Sequence, residues 1–285
     1  HELARVFMHL YLRNYVEGLF LSSAVCRDSD STTEKMIEAV QLLRREHNFQ
    51  GYIHFKILPG VDRSLVKQAS ELSDRLSINL EAPNSSRLTE ISDMKDYNCD
   101  IIRRQKYIRE VLPPAGQTTQ LVVGSSDESD LEILETAVWE YEKIGLKRVY
   151  YSAFSPVEGT PLQDKVRTPL ERERRLYNVD FMMRKYGIEL AEFRDIMEDY
   201  HLPKGDPKVH LARNHFDAPV DVNEAPYGEL VRVPGIGPQS AKRILQVRSE
   251  GTKLTKRTQL HSIGVVLRRA DPFLKIAGAV QTRLT

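Results

Sequence analysis

The sequence predicts an α/β chain: a partial (β/α) TIM-like barrel over residues 1–165, a helical connector over residues 166–219 and an all-α domain over residues 220–285. Three observations carry this. Strand-like and helical segments alternate through residues 1–160, which implies parallel strands joined by right-handed crossovers. Two successive strands are apolar on one face only. Near the C-terminus, two glycines set two apart separate two stretches of helical apolar spacing.

Taken in order, Leu3, Val6, Phe7, Leu10 and Tyr11 form a helical stripe that starts almost at the first residue, with no capping residue before it. A strand over 18–22 is followed by a helix over 33–47, opened by Ser31, Thr32 and Thr33. Next come a strand over 51–58, a helix over 62–74 capped by Asp62, and a strand over 76–81. A helical region over 85–111, a strand over 118–124, a helix over 129–144 and a strand over 149–154 complete the body. Within 51–58, Ile53, Phe55 and Ile57 oppose Tyr52, His54 and Lys56; within 76–81, Leu76, Ile78 and Leu80 oppose Ser77, Asn79 and Glu81. A parallel strand covered on both faces is apolar throughout. The alternation therefore predicts a curved sheet with helices outside and a polar lumen inside, and a ligand site at the C-terminal strand ends. The alternative is an edge strand facing water.

The chain is almost neutral at +1, but its charge is unevenly placed. Residues 220–285 hold 11 Lys/Arg against 5 Asp/Glu, an excess of six positive charges; the rest of the chain keeps 30 of the 41 basic and 35 of the 40 acidic residues. That polarity points to a polyanion-binding module joined to a body with a different task. No apolar run approaches the roughly 20 residues that span a bilayer, so no membrane partner is expected. No signal peptide opens the chain. The two cysteines, Cys26 and Cys99, cannot build a disulfide scaffold and suit a reducing cytoplasm; neither has a Cys or His neighbour at metal-ligand spacing, and no metal ligands are assigned.

Leu230 and Val233 lead into Pro-Gly235-Ile236-Gly237-Pro, and Ala241, Ile244 and Leu245 follow at the spacing of one buried helix face. Glycine lets backbone approach a ligand and adopt positive φ, and the free amides that open the second helix favour an anion. The small Ala241 lets the helices cross closely. This pattern resembles the helix-hairpin-helix motif of DNA repair proteins, and the resemblance implies backbone amides that hold a DNA phosphate without reading the base. The candidate DNA contacts are Gly235, Ile236, Gly237, Ser240, Lys242 and Arg243. A second, degenerate hairpin over 260–270, with one glycine at Gly264, would add Arg268 and Arg269. The alternative is an ordinary tight turn. Between barrel and hairpin, residues 170–186 and 188–200 read as helices and 201–217 as a stretch rich in Pro, Gly, Lys and His. His201, His210 and His215 lack zinc-site spacing, and Asp221 or Asn223 would cap the hairpin domain.

Three segments of the body resemble radical SAM enzymes. Residues 149–162, with Ser-Pro156-Val-Glu-Gly159-Thr-Pro at their core, resemble the sixth-strand element that lies near the adenine. Leu121-Val-Val-Gly124 with Glu128 after it resembles the fifth-strand motif, and Asn79-Leu-Glu81-Ala-Pro83 the fourth-strand position. With the hairpin, the chain is similar to one subgroup, the DNA modification/repair radical SAM proteins, whose genes tend to lie beside a uracil-DNA glycosylase-like partner. The resemblance implies a 4Fe–4S cluster and S-adenosylmethionine in the full-length protein, and a 5′-deoxyadenosyl radical acting on DNA or a nucleotide. It assigns Asn79 and Glu81 to the ribose and amino group, Ser22 and Ser23 to the methionine end, and Gly124, Pro156 and Gly159 to close approach around the adenine. His54 and Lys56 face the same lumen, where they would position substrate or transfer a proton; the alternative is a salt bridge with Glu81 or a neighbour. Two departures stand out. Leu21-Ser22-Ser23-Ala24-Val25 replaces the family's Gly-Gly-Glu, and the CxxxCxxC cluster motif is absent from the chain. The expectation is therefore an N-terminal truncation that does not cleave S-adenosylmethionine by itself. A non-catalytic DNA-binding adaptor is the second reading; a metal-dependent hydrolase is disfavoured by the scarcity of ligand clusters.

Overall fold

A computed structural model describes residues 1–276 and the backbone of Ala279–Val280. The chain divides into two compact units, one of residues 1–128 and 135–169, the other of residues 129–134 and 170–285.

The first unit holds a five-stranded sheet in sequential order, β1 (Gly18–Leu21), β2 (Tyr52–Lys56), β3 (Arg75–Ser77), β4 (Gln117–Val123) and β5 (Arg148–Ala153), with every pairing parallel. It is a half barrel. Helices α1 (Glu2–Leu12), α2 (Ser29–Gln41), α3 (Arg63–Leu72), α4 (Ser85–Thr89), α5 (Arg103–Val111) and the C-terminal half of α6 (Asp130–Trp139) punctuate it, and π-helical turns over Leu42–Glu46, Tyr97–Ile102 and Glu140–Ile144 extend or precede three of them. The expected alternation is present except at Ser77, which is buried although it shares the polar face with His54. Ile53, Phe55, Leu76, Ile78, Leu121, Val123 and Val149 are buried, whereas His54, Lys56, Asn79, Gln120, Tyr150 and Ser152 are half exposed on the opposite face.

Several expected boundaries move, each for a local reason. Helix α2 starts four residues earlier than its Ser/Thr cluster suggests, because Asp28 caps it through Ser31 N–H at 2.7 Å. Thr32 instead turns back to the carbonyls of Cys26 and Asp28. Asp62 caps α3 as expected. In α1 the buried face is Ala4 and Phe7, and Leu3 and Val6 are exposed. The region over 85–111 is not one helix but α4, a break, and α5 with its π-turn. Past β3 the ladder slips. Ser77 pairs with Thr118, but Glu81 bridges to Leu121, so four steps on one strand face three on the other. This is a β-bulge. The Thr119 hydroxyl repairs the interrupted ladder, accepting from Leu80 N–H at 3.0 Å and donating to the Ile78 carbonyl at 2.7 Å. Arg44 anchors the start of the sheet: its guanidinium donates to the carbonyls of Leu72, Phe49 and Gly51 and to the Asp74 carboxylate, which in turn receives Ile53 N–H.

The second unit contains α7 (Leu170–Tyr186), at the expected bounds, then α8 (Leu190–Arg194) and α9 (Pro207–His215). Helix α8 is much shorter than the helix expected over 188–200, and an antiparallel bridge between Glu198 and His201 ends the segment. The Pro/Gly/His-rich stretch contains α9, capped by Asp206 with Pro207 at its first turn. Helices α10 (Tyr227–Arg232), α11 (Pro238–Ser249), α12 (Arg257–Ser262) and α13 (Leu267–Ala270) surround a core that includes Leu230, Val233, Ile236, Ala241, Ile244, Leu260 and Val265. The all-α description needs one amendment, a small sheet of β6 (Val220–Asp221), β7 (Leu274–Ile276) and β8 (Ala279–Val280). Neither Asp221 nor Asn223 caps α10, although Asp221 Oδ1 accepts Asn223 N–H at 2.8 Å and so caps the turn that opens the domain. Asp221 lies in β6, Asn223 bonds both N–H and C=O of Leu254, and Pro226 takes the N-cap position of α10.

Candidate nucleic-acid interface and sheet-edge cluster

The loop joining α10 to α11 is built so that its carbonyls turn inward. Gly235 adopts φ +85°, and its carbonyl accepts from Val266 N–H at 2.9 Å. The Ile236 carbonyl accepts from the Lys208 ammonium at 2.6 Å. Ile236 itself is fully buried. With both carbonyls taken, what remains at the loop's end is the N-terminus of α11, whose first amides, at Gln239 and Ser240, have no acceptor within the helix. Gly237 is the N-cap of α11 with φ −99° and ψ 175°, so it needs no left-handed backbone. A Cβ there would first meet Tyr186 Oη at 3.7 Å, whereas one on Gly235 would lie 2.4 Å from the Val266 carbonyl oxygen. The two glycines thus differ: Gly235 closes the turn, and Gly237 leaves space beside the helix N-terminus.

The second hairpin repeats the first. Gly264 has φ +91° and Val265 is buried, as Gly235 and Ile236 are. Ser240, read as a contact residue, is buried and donates its hydroxyl to the Gly264 carbonyl at 2.8 Å, so it ties the hairpins together. Lys242 and Arg243 are exposed, and Arg243 reaches the Ile263 carbonyl at 3.3 Å. Arg268 is exposed; Arg269 pairs with Asp206.

Lys208 was not legible as a site residue. It is buried, donates to the hairpin and lies 4.6 Å from the centre of the Tyr186 ring. Burial, with a smaller effect from Arg269, brings its ammonium down to about 7, while Asp206 pulls the other way. Its signal in sequence is only the Asp206-Pro207 helix start; the carbonyl it holds lies 28 residues away.

In the first unit, the residues assigned to cofactor all fall beyond the C-terminal ends of parallel strands. Ser22 and Ser23 follow β1 and are exposed, with Ser23 Oγ donating to the Ala24 carbonyl. Asn79 and Glu81 follow β3. Glu81 takes φ +66°, receives Asn79 Nδ2 at 3.4 Å and pairs with Lys95 at 3.6 Å. Gly124 ends β4 with φ +83°, and its N–H donates to Glu128 at 2.5 Å. Glu128 is buried and also accepts from Ser126 N–H and Oγ, so it closes that turn from inside. Gly159 has φ +77° and donates its amide to Gln163; it follows Pro156 in the segment after β5. His54 does not pair with Glu81. It hydrogen-bonds Ser77 Oγ at 2.8 Å and packs against Phe20, and burial, with Arg75 and Lys56 nearby, lowers its pKa to about 4. It is neutral near pH 7. Lys56, the last residue of β2, lies half exposed on the same face.

A fit to an iron–sulfur cluster is not found. Cys26 and Cys99 are both free, and no group of three or more His, Cys, Asp or Glu side chains that could hold a metal occurs among the described residues. Nor is any helix among them long and apolar enough to cross a membrane.

What fold and site define is an α/β half barrel with a C-terminal helix-hairpin-helix motif. Residues 216–267 match the helix-hairpin-helix motif family. The chain is 30% identical over 97 residues to a tRNA-2-methylthio-N(6)-dimethylallyladenosine synthase of Bacillus mycoides (strain KBAB4), covering 33% of this chain and 18% of that protein. It is 29% identical over 115 residues to the protein of the same name from Bacillus pumilus (strain SAFR-032), covering 39% and 22%. The match thus spans about a fifth of the length of these relatives. Among solved structures, the chain is similar to HydG, a maturase of the FeFe-hydrogenase, with TM-score 0.51 and 11% identity over 64% of this chain and 42% of that one. This is a likeness of fold alone.

Proposed function

We propose that this chain is part of a radical SAM enzyme that acts in DNA modification or repair, and that its hairpin holds the substrate by a backbone phosphate. The observation that carries the reading is the hairpin: carbonyls bonded inward by Val266 and Lys208, a helix N-terminus left for an anion, and Lys242 and Arg243 exposed on that helix. The likeness to tRNA-modifying relatives supports a nucleic-acid substrate and leaves RNA as the alternative to DNA.

In the half barrel, Asn79, Glu81, Ser22 and Ser23 offer polar groups at the strand ends, where a nucleoside cofactor would be held. S-adenosylmethionine, bound with a cluster, would supply a 5′-deoxyadenosyl radical. The described residues do not fit the cluster. His54, neutral and held by Ser77, would orient substrate rather than donate a proton. The adaptor reading draws on Glu128, which already occupies the Gly124 amide where close approach to adenine is expected. A uracil-DNA glycosylase-like protein remains the proposed partner, and the cytoplasm the proposed location.

The test is anaerobic iron–sulfide reconstitution of the full-length gene product, followed by incubation with S-adenosylmethionine, reductant and either DNA or tRNA. Formation of 5′-deoxyadenosine, raised by DNA, is the expected result. Its absence with every substrate overturns the enzymatic reading, and stimulation by tRNA alone overturns the choice of DNA.

A further inference from the structure

The helix-hairpin-helix resemblance accounts for one phosphate and no more, yet the hairpin loop forms one wall of a cavity of about 760 Å³ within the second unit. That lies inside the range of roughly 300–1,000 Å³ typical of pockets for small organic groups. The far wall is the C-terminal end of α7, carrying Phe181 and Tyr186, with Tyr227 from α10 beside it. Charged groups complete the lining: the buried Lys208, the exposed Lys185 and Lys242, and Arg269 paired with Asp206. Phe181 is 47% exposed, touches Tyr186 in a T-shaped contact at 5.7 Å, and is not part of the hairpin core. An apolar ring left uncovered beside an anion-seeking helix N-terminus is poorly explained by packing.

We infer that this cavity receives the base of an unpaired nucleotide whose phosphate sits on the N-terminus of α11. This rests on the phosphate-holding reading of the hairpin. The helix N-terminus and the aromatic wall line the same cavity, so a nucleotide held there by its phosphate has a stacking surface of the kind that binds single strands without regard to sequence. A base paired in a duplex stays in the helical stack and cannot enter. The ligand class is therefore single-stranded nucleic acid, or a strand with an unpaired base.

The experiment measures binding of this chain to three oligonucleotides of equal phosphate number: a single strand, the same strand with abasic residues, and its duplex, each as DNA and as RNA. The wild-type chain is expected to prefer the intact single strand to the abasic one. Phe181→Ala should weaken single-strand binding by about tenfold and leave duplex binding unchanged. Equal affinity for intact and abasic strands, or equal effects of Phe181→Ala on strand and duplex, overturns the inference. Lys242→Glu with Arg243→Glu separates the two layers. If it leaves all affinities unchanged, the hairpin reading falls. If it lowers all of them while Phe181→Ala changes none, only the base pocket falls. The DNA and RNA arms report which sugar the cavity admits.

Discussion

The N–H of Val266 donates to the carbonyl of Gly235 at 2.9 Å, bonding the loop of the second hairpin to that of the first. The same contact makes Gly235 intolerant of a side chain, since a Cβ would lie 2.4 Å from the Val266 carbonyl oxygen on a residue with φ +85°. Gly235→Ala is expected to cost roughly 3 kcal/mol or more, from positive-φ strain and displacement of the second loop. Gly237→Ala, at φ −99° with its nearest neighbour 3.7 Å away, should cost under about 1 kcal/mol. Denaturant unfolding of both variants checks the contrast; equal losses would show that the two glycines are not divided in this way.

Lys208 gives the hairpin a dependence on pH. The native ammonium loses its proton near pH 7, but the unfolded side chain keeps it to its ordinary 10.5. Native stability from this site therefore rises as pH climbs through that window. A bound phosphate acts in the opposite sense, because an anion beside Lys208 favours the ammonium over the amine. Nucleic-acid affinity should fall as pH rises from about 6 to about 9, with proton uptake on binding, and Lys208→Met should flatten the profile. The charged groups around it are Asp206 and Arg269, with the Tyr186 ring beneath. Identical slopes in wild type and variant would remove Lys208 from the account.

Glu140 offers a second titration, in the first unit. It is fully buried, receives Gln105 Nε2 at 3.0 Å, and burial raises its pKa to about 8. A raised carboxyl is protonated in the native state between its ordinary 4.5 and about 8, so stability declines with pH across that window. Glu140→Gln should remove this decline and stabilise the protein at neutral pH by on the order of 2 kcal/mol. Thermal unfolding from acid to mildly alkaline pH decides it; a variant as pH-sensitive as wild type contradicts the assignment.

Thr119 closes the bulge between β3 and β4 with two hydrogen bonds. Thr119→Val keeps the shape and strands a buried amide and a carbonyl, so a loss of about 2 kcal/mol is expected, measured by chemical denaturation. A near-zero change would mean that the ladder closes without the hydroxyl.

The alternation of Ile53, Phe55 and Ile57 with His54 and Lys56 made the one-sided sheet legible, because strand period depends on neighbours two residues apart. The hairpin was legible for a similar reason: Gly235, Gly237 and Ala241 lie within one turn and its flanks. What stayed hidden depends on distant partners. Lys208 reads as a surface lysine until the Ile236 carbonyl is beside it. That the Gly264 carbonyl takes the Ser240 hydroxyl, leaving its amide for an anion, depends on a loop 24 residues away. Glu81 alternates like a strand residue, but the bulge gives it a left-handed backbone. The short strands β6 and β7 pair residues more than fifty positions apart, which no local pattern announces.

The central claim is that the hairpin holds nucleic acid by phosphate and not by sequence. The most direct measurement is affinity against salt concentration for two unrelated sequences, with wild type and Lys242→Glu, Arg243→Glu. Parallel log–log lines of negative slope are expected for both sequences, with a slope reduced by up to about two in the variant. An unchanged slope, or lines that separate by sequence, would contradict it.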